Sequence, residues 1–333
     1  MKIVYFFRKA APSFFSIEVL FQTIISNLRH SVAEKVFLPY KSATSPAALL
    51  ENTLYASKRQ GQVNHITGDV YYIALALDKK KTILTIHDID SLGSKNRMKN
   101  FLLHLLWLKI PVRRVRYVTV ISEYSKRKVL AATGVAADKV IVIPNCVQLT
   151  DKDFKPKVLL NKQEPVLLQV GTKSNKNFPN VVEAIKGISC RLLILGKLAA
   201  SQRELLEENG IVYENFFSLD YEEVIKLYYR ADIVTFVSTY EGFGMPILEA
   251  NALGRPVITS TTTAMPEVAG EGAVLVDPFK PEQIRQAIID LVADDTYRNN
   301  IVNKGYQNVQ RFKPEMVAAK YEALYKRVLE ENS

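Results

Sequence analysis

Short apolar runs and stretches of helical period alternate along nearly the whole chain. The runs at 2–7, 35–39, 63–67, 81–87, 118–122 and 139–145 are too short for helices and rich in Val, Ile and aromatic residues, so they read as strands. Between the first two, Val19, Leu20, Ile24 and Leu28 recur on one side of a segment from 17 to about 30, the spacing of an amphipathic helix. The pattern breaks at 148–164, QLTDKDFKPKVLLNKQE, a polar, lysine-rich stretch with Pro156 that reads as a linker. It then restarts with VLLQVG, LLILG, IVYEN, DIVTFVS, PVITS and AVLVD as strands, and 281–293, 296–312 and 314–331 close the chain as helices. Asp220 and Glu223 have the spacing of a capping box for a helix that continues to Arg230. Strands that alternate with helices form parallel sheets covered on both faces, which is why the runs are continuously apolar. The expected fold class is α/β, with doubly wound parallel sheets.

A chain of 333 residues exceeds the usual size of one hydrophobic core. The linker divides it into domains at 1–150 and 151–312, with a last helix at 313–333. Apolar residues at 48% and charged residues at 23% are values of a folded, soluble protein. The net charge of +10 belongs to one half only: residues 1–150 hold 22 Lys and Arg against 9 Asp and Glu. That basicity lacks the interleaved aromatics or recognition helix of a nucleic-acid binder, so no nucleic-acid partner is expected. No G-x-G-x-x-G follows the first strand or opens the second half, which argues against a nicotinamide dehydrogenase. Cys146 and Cys190 have no metal-ligand spacing and read as free thiols of a reducing cytosol. The leading run MKIVYFFRK is short for a signal peptide, and no apolar stretch reaches the length of a membrane span, so the expected location is cytoplasmic with at most peripheral membrane contact.

The densest chemistry lies at 241–255, EGFGMPILEANALGR, directly after the apolar run 233–237. Gly242 and Gly244 are placed to take left-handed angles and bring backbone N–H groups close to a ligand. Pro246 suits the first turn of a helix running to about Leu253, with Gly254 as its stop. A strand, a glycine loop and a helix N-terminus make an anion site at the carboxyl edge of a sheet. Two carboxylates, Glu241 and Glu249, flank it. Two polar clusters close strands in the first half, His65 to Asp69 and His87 to Asp90. A lone histidine such as His65 is more often a satisfied structural residue than a ligand contact.

The form E-G-F-G-x-P-x-L-E-A followed by G-R-P-V-I resembles the signature of the retaining glycosyltransferases of family 4, which have the GT-B fold. The segments VTVISEYSKRKVL (118–130), KVIVIPNCV (139–147) and SIEVLF (16–21), and the glycine-to-Lys-Asn loop at 171–177, are similar to that family as well. The resemblance implies two Rossmann-like domains facing a central cleft, the second binding a nucleoside-diphosphate sugar and the first a glycan acceptor, with the last helix crossing back to the first domain. It implies a donor site of Gly171, Lys173, Lys176, Gly242, Phe243, Gly244 and Glu249. In it Lys176 holds the diphosphate, Glu249 the ribose and Glu241 the transferred sugar, while the N–H groups of Phe243 and Gly244 complete the cradle. Base contacts are expected around 215–219, and Glu267 matches a family position as a loop anchor or ligand contact. His87 joins Glu241 and Lys176 as a catalytic candidate; Ser16, His65 and Asp88 are candidates on the acceptor side.

No metal and no cofactor beyond the sugar nucleotide are expected, although Asp88-Ile89-Asp90 also fits the metal-binding D-x-D of the other glycosyltransferase fold. The chain departs from the family pattern in three places. No Gly-Gly pair stands in the first loop, Thr172 stands where many relatives have Arg, and Cys146 stands where they have Gly. The missing Gly-Gly pair and Cys146 motivate a rival reading as a catalytically impaired partner subunit, against which stand the retained Glu241, Glu249, Lys176 and His87.

The segment 97–116, RMKNFLLHLLWLKIPVRRVR, sets leucines and the single tryptophan, Trp107, beside six cations. It fits either a core helix or a helix lying in a membrane interface. Taken with the basic first half, it leads to the expectation of a lipid-linked acceptor at the inner face of the cell membrane, with a soluble acceptor as the alternative.

Overall fold

A computed structural model of the chain describes residues 1–9, 16–40, 45–88, 104–156 and 162–332. The chain divides into two compact units, Met1–Cys146 with Lys313–Ser333, and Val147–Phe312. The break thus falls at 146/147 rather than 150/151, and the last helix belongs to the first unit.

The first unit holds a parallel sheet of β1 (Lys2–Phe7), β2 (Val32–Phe37), β3 (Val63–Ile66), β4 (Thr82–Ile86), β5 (Tyr117–Val120) and β6 (Val140–Val142), in the order β2-β1-β3-β4-β5-β6. Side chains alternate across a strand, so β1 feeds two cores. Val4 and Phe6 pack with Ile66, Leu84, Leu108 and Val112 on one face. Ile3, Tyr5 and Phe7 pack with Phe21, Ile24 and the helix Pro314–Glu330 on the other. β2 starts earlier than its apolar run suggests because it is an edge strand: Val32 is 71% exposed, and Glu34 pairs with Lys2 on β1 at 2.8 Å. β6 is only three residues long, since Pro144 follows closely and cannot donate to a ladder. The first helix ends at Ser26 rather than near 30.

The second unit holds β7 (Val166–Val170), β8 (Arg191–Leu195), β9 (Val212–Phe216), β10 (Ile233–Phe236), β11 (Val257–Ser260) and β12 (Val274–Val276), in the order β12-β11-β10-β7-β8-β9. One face of it buries Leu167, Leu192, Ile194, Ile233 and Ile258 against the helices Phe178–Ile185 and Pro281–Ala293. The expected capping box is present, with Asp220 Oδ1 accepting from Glu223 N and Glu223 Oε2 from Asp220 N, at 2.8 and 2.9 Å. Part of the expected linker is packed into this unit: Phe154 lies on Tyr306, ring centroids 4.4 Å apart, and Asp153 O accepts from Tyr229 Oη at 2.7 Å.

In each sheet the strand order reverses at the first strand of the unit, between β1 and β3 and between β7 and β10. Ligands of open α/β sheets bind outside the carboxyl ends of the strands at such a reversal. Those ends carry the residues described next.

Candidate functional site

In the second unit, the loop after β7 and the loop after β10 meet at the reversal. Gly171 has φ +93°, and a Cβ there would lie 2.8–3.0 Å from the Lys176 side chain, so glycine is what lets the lysine stem lie across the strand end. A turn Ser174–Lys176 follows, and Asn177 at φ +58° enters the helix Phe178–Ile185 with its Nδ2 donating to Pro278 O at 2.5 Å. Beneath the loop, buried Gln169 donates to Gly171 O and Lys176 O at 3.2 and 3.1 Å and accepts from Thr235 on β10 at 3.0 Å. Asn175 ties the two loops: its carbonyl accepts from Thr239 N at 2.8 Å, and its Nδ2 donates to Tyr240 O at 3.0 Å and Glu241 Oε1 at 3.1 Å. The result is an ion pair, Lys176 Nζ to Glu241 Oε1, 2.5 Å apart, with both side chains 18% exposed. Lys176 also sits 4.5 Å above the Phe236 ring.

The helix after this loop runs Met245–Ala252 with Gly244 as its cap at φ +114°, so Pro246 occupies its second residue. Gly242, expected to share the left-handed geometry, is not among the glycines of positive φ. The Phe243 ring is buried against Phe312, centroids 5.8 Å apart, so its side chain is a packing group. Glu249 is partly buried and accepts from Tyr228 Oη at 2.6 Å. Burial pushes its pKa up, opposed by the Tyr228 hydrogen bond and the charge of Lys176. At the far end, Gly254 has φ +71° and approaches Lys155 and Pro156 closely. Arg255 is buried and donates to the carbonyls of Tyr228, Tyr229, Leu253, Gly254 and Lys155. It therefore fixes the helix that carries Tyr228 to the helix that carries Glu249. Lys173 is exposed on the outside of its loop, and Thr172 donates to Lys197 O at 2.8 Å. Glu267 opens the short helix Met265–Ala269, with its carbonyl accepting from Arg311 at 3.0 Å. In the 215–219 segment, Asn215 holds Ile194 O and Gly196 O at 3.2 and 2.6 Å.

In the first unit, His87 follows β4 and is partly buried, with its Nε2 2.8 Å from Thr67 O. Because a carbonyl only accepts, that nitrogen carries the proton. Burial lowers the pKa of the ring against the pull of that bond and of Asp69. The neutral imidazole then offers Nδ1 as an acceptor. Gly68 leaves room for it, since a Cβ there would lie 3.0 Å from His87 Cδ2. Asp69, at φ +55°, pairs with Arg8 from the end of β1, and Arg8 also donates to both oxygens of Glu18 at 2.8 and 3.1 Å. This cluster of Arg8, Glu18, Asp69 and His87 contains Arg8, which carried no motif in the sequence, and Glu18, which lay in the SIEVLF segment without a role of its own.

His65 requires a correction. It is 0% exposed, with Nδ1 2.7 Å from Tyr325 Oη and Nε2 2.7 Å from Thr85 Oγ1, so both ring nitrogens are used inside the core and none faces an acceptor. The 97–116 segment is corrected in part as well. Trp107 packs on Tyr72 with centroids 5.7 Å apart, and Leu108 and Val112 are buried, so this face belongs to the core. Leu106, Arg113, Arg114 and Arg116 are exposed, and of these Arg116 is held by Glu331 at 2.6 Å. Residues 97–103, Ile89 and Asp90, and the Ser16 side chain lie outside the described residues; Asp88 lies next to His87 and is partly buried. No group of three or more His, Cys, Asp or Glu is placed to hold a metal among the described residues, and no helix among them is long and apolar enough to cross a membrane. Cys146 and Cys190 are buried free thiols, their pKa values pushed up to about 12 and about 11 mainly by burial.

Two parallel six-stranded units, each with its polar residues at the carboxyl edge, define a two-domain α/β protein of GT-B architecture. Residues 20–151 match the family model "Glycosyltransferase Family 4" and residues 150–308 match "Glycosyl transferases group 1". The chain belongs to the family 4 GT-B glycosyltransferases. It is 36% identical over 91 residues to O-antigen chain mannosyltransferase B of Escherichia coli, a match covering 27% of this chain and 24% of that protein. It is 25% identical to O-antigen chain mannosyltransferase RfbU of Salmonella typhimurium, over 68% of this chain and 67% of that one. The matches thus span from about a quarter to two thirds of the length of these relatives. Two solved structures share the fold across nearly all of both chains. Sucrose-phosphate synthase from Thermosynechococcus elongatus has a TM-score of 0.78 at 18% identity and 99% coverage of each. Anabaena Alr3699/HepE, in complex with UDP and glucose, has 0.77 at 14% identity, covering 98% of this chain and 100% of that one.

Proposed function

We propose that this chain is a retaining, metal-independent glycosyltransferase that moves a sugar from a nucleoside-diphosphate sugar to a lipid-linked glycan acceptor in surface-polysaccharide assembly. The observation that carries the reading is the Lys176–Glu241 pair at 2.5 Å, where the loops after β7 and β10 meet. Cleavage of a sugar nucleotide leaves a diphosphate, and a fixed ammonium beside a helix N-terminus stabilises that charge without proton transfer or metal. Glu241, in contact with the same lysine, is then placed to hold a sugar hydroxyl and to favour positive charge at the anomeric carbon. Glu249, one turn into the helix Met245–Ala252 and held by Tyr228, takes the ribose hydroxyls.

The acceptor falls to the first unit, where His87 presents Nδ1 from the carboxyl edge of its sheet. Polysaccharide assembly is supported by the names of the Escherichia coli and Salmonella relatives, which also make mannose the first sugar to test. The nucleotide is supported by the UDP of the Anabaena structure. Peripheral attachment at the cytosolic membrane face rests on the basic first half and on exposed Arg113, Arg114 and Leu106. Purified protein would be offered GDP-mannose and UDP-glucose with lipid-diphosphate and soluble acceptors in EDTA, and the anomeric configuration of the product read by NMR. A retained product formed in EDTA is expected. An inverted product, or loss of all transfer on chelation, would overturn the mechanism; donor binding without transfer to any acceptor would favour the impaired subunit.

A further inference from the structure

The first unit carries a second concentration of charge, at the edge of its sheet opposite His87. A cavity of about 440 Å³ opens there among the residues that precede β4, β5 and β6 and one side chain of the helix Pro314–Glu330. Its wall holds Lys79, Lys80, Arg116, Lys139 and Arg327 against a single lining carboxylate, Asp138. The volume is within the usual range for a small-molecule site. The two arginines are not loose: Glu331 accepts from Arg116 Nε at 2.8 Å, Arg327 Nε at 3.0 Å and Tyr117 Oη at 2.6 Å, which fixes both guanidinium groups on the cavity wall.

We propose that this cavity is a binding site for a phosphate-bearing anion, separate from the diphosphate site assigned to Lys176. Several cations around one concavity, two of them forked guanidiniums, match the multiple oxygens and double charge of a phosphate group better than a lone carboxylate. The state of Lys139 supports this. It is half-buried, and its pKa is pushed down to about 8 by burial and then by Lys79 and Arg116. The smaller part of that shift is repulsion from Lys79 and Arg116, which an anion in the cavity would relieve. The same chemistry is offered by a lipid headgroup or by a soluble phosphate compound.

The full-length protein would be titrated with pyrophosphate by calorimetry as wild type, as Lys79→Gln/Lys139→Gln and as Lys176→Ala. Neither lysine of the double variant belongs to the ion pairs that hold the last helix, and thermal unfolding checks its fold. Lys79→Gln/Lys80→Gln, at two exposed positions, repeats the test if the Lys139 change disturbs packing. The lysine variants are expected to weaken one pyrophosphate-binding event about tenfold or more and to keep the donor-site one, while Lys176→Ala keeps the event at the cavity. Flotation on phosphatidylglycerol-containing vesicles, against phosphatidylcholine alone, identifies the source. Co-flotation lost in the double variant assigns the cavity to a headgroup, and pyrophosphate binding without flotation assigns it to a soluble phosphate. Equal affinity in wild type and the lysine variants, or loss in Lys176→Ala alone, overturns the proposal and leaves the donor-site reading untouched.

Discussion

Lys176 and Glu241, 65 positions apart, are joined at 2.5 Å, and Asn175 bonds the same carboxylate at 3.1 Å. For Lys176 to take a diphosphate it must give up part of this contact. Glu241→Gln removes the competing charge, so nucleoside-diphosphate affinity is expected to rise about two- to tenfold. Turnover is expected to fall about a hundredfold or more, because the charge facing the reacting sugar is gone. Calorimetry with UDP and GDP, beside initial rates, reads the two effects separately. Weaker nucleotide binding in Glu241→Gln would show that the carboxylate does not compete for the lysine.

Glu249 and Tyr228 form a second pair, 2.6 Å between carboxylate and phenol. Glu249→Ala is expected to weaken the nucleotide about ten- to a hundredfold, the cost of losing hydrogen bonds to a charged group. Tyr228→Phe acts indirectly. Without the phenolic donor the already raised pKa of Glu249 rises further, so less of it is ionised to receive ribose hydroxyls. The affinity gap between wild type and Tyr228→Phe should widen as pH falls below neutrality. A gap independent of pH would mean that Tyr228 contributes only packing.

The strands were legible because both sheet faces are buried, and a run such as 233–237 has few other readings. The donor motif was legible because Glu241, Gly244 and Glu249 lie on one loop and one helix. What escaped were the contacts that join distant segments: Asn175 to Tyr240, Tyr228 to Glu249, and Arg8 to both Glu18 and Asp69. Periodicity records which way a side chain faces, not what meets it. The two tyrosines at the end of the 221–230 helix, an unusual pair beside a charged face, were the only available signal for Tyr228. The same limit explains Trp107. An apolar face next to arginines reads alike whether it meets lipid or, as here, Tyr72.

The last helix is expected to be indispensable to the first unit. Val317, Ala318, Tyr321, Leu324, Tyr325 and Val328 are all buried in one of its two cores. At about 1.5–3 kcal/mol for each large side chain, their removal costs on the order of 10 kcal/mol, comparable to the whole stability of a domain. A chain ending at Phe312 should therefore be insoluble, or lose the cooperative unfolding of the first unit. Differential scanning calorimetry of the truncated and full chains decides it; unchanged transitions would contradict the packing described.

Acid should unfold the first unit through His65. Its two ring nitrogens are held by Tyr325 and Thr85, and Thr85 in turn lies 2.6 Å from Thr119, a buried chain with no place for an added proton. Burial, and then the nearby His87, lower its pKa to about 3, far below the unfolded value near 6.5. Between these values the unfolded chain takes up a proton that the native chain refuses. The contribution is therefore complete above about pH 6.5 and is lost as pH falls, by about 1.4 kcal/mol per pH unit. His87, shifted in the same direction, adds to the slope. His65→Gln should lower stability at neutral pH, because two buried hydrogen bonds are disturbed, yet flatten the dependence between about pH 5 and 6.5 by one proton's worth. Urea midpoints for the first unit across that range measure it. A variant whose midpoint still falls as steeply as wild type would show that His65 is not the group that titrates.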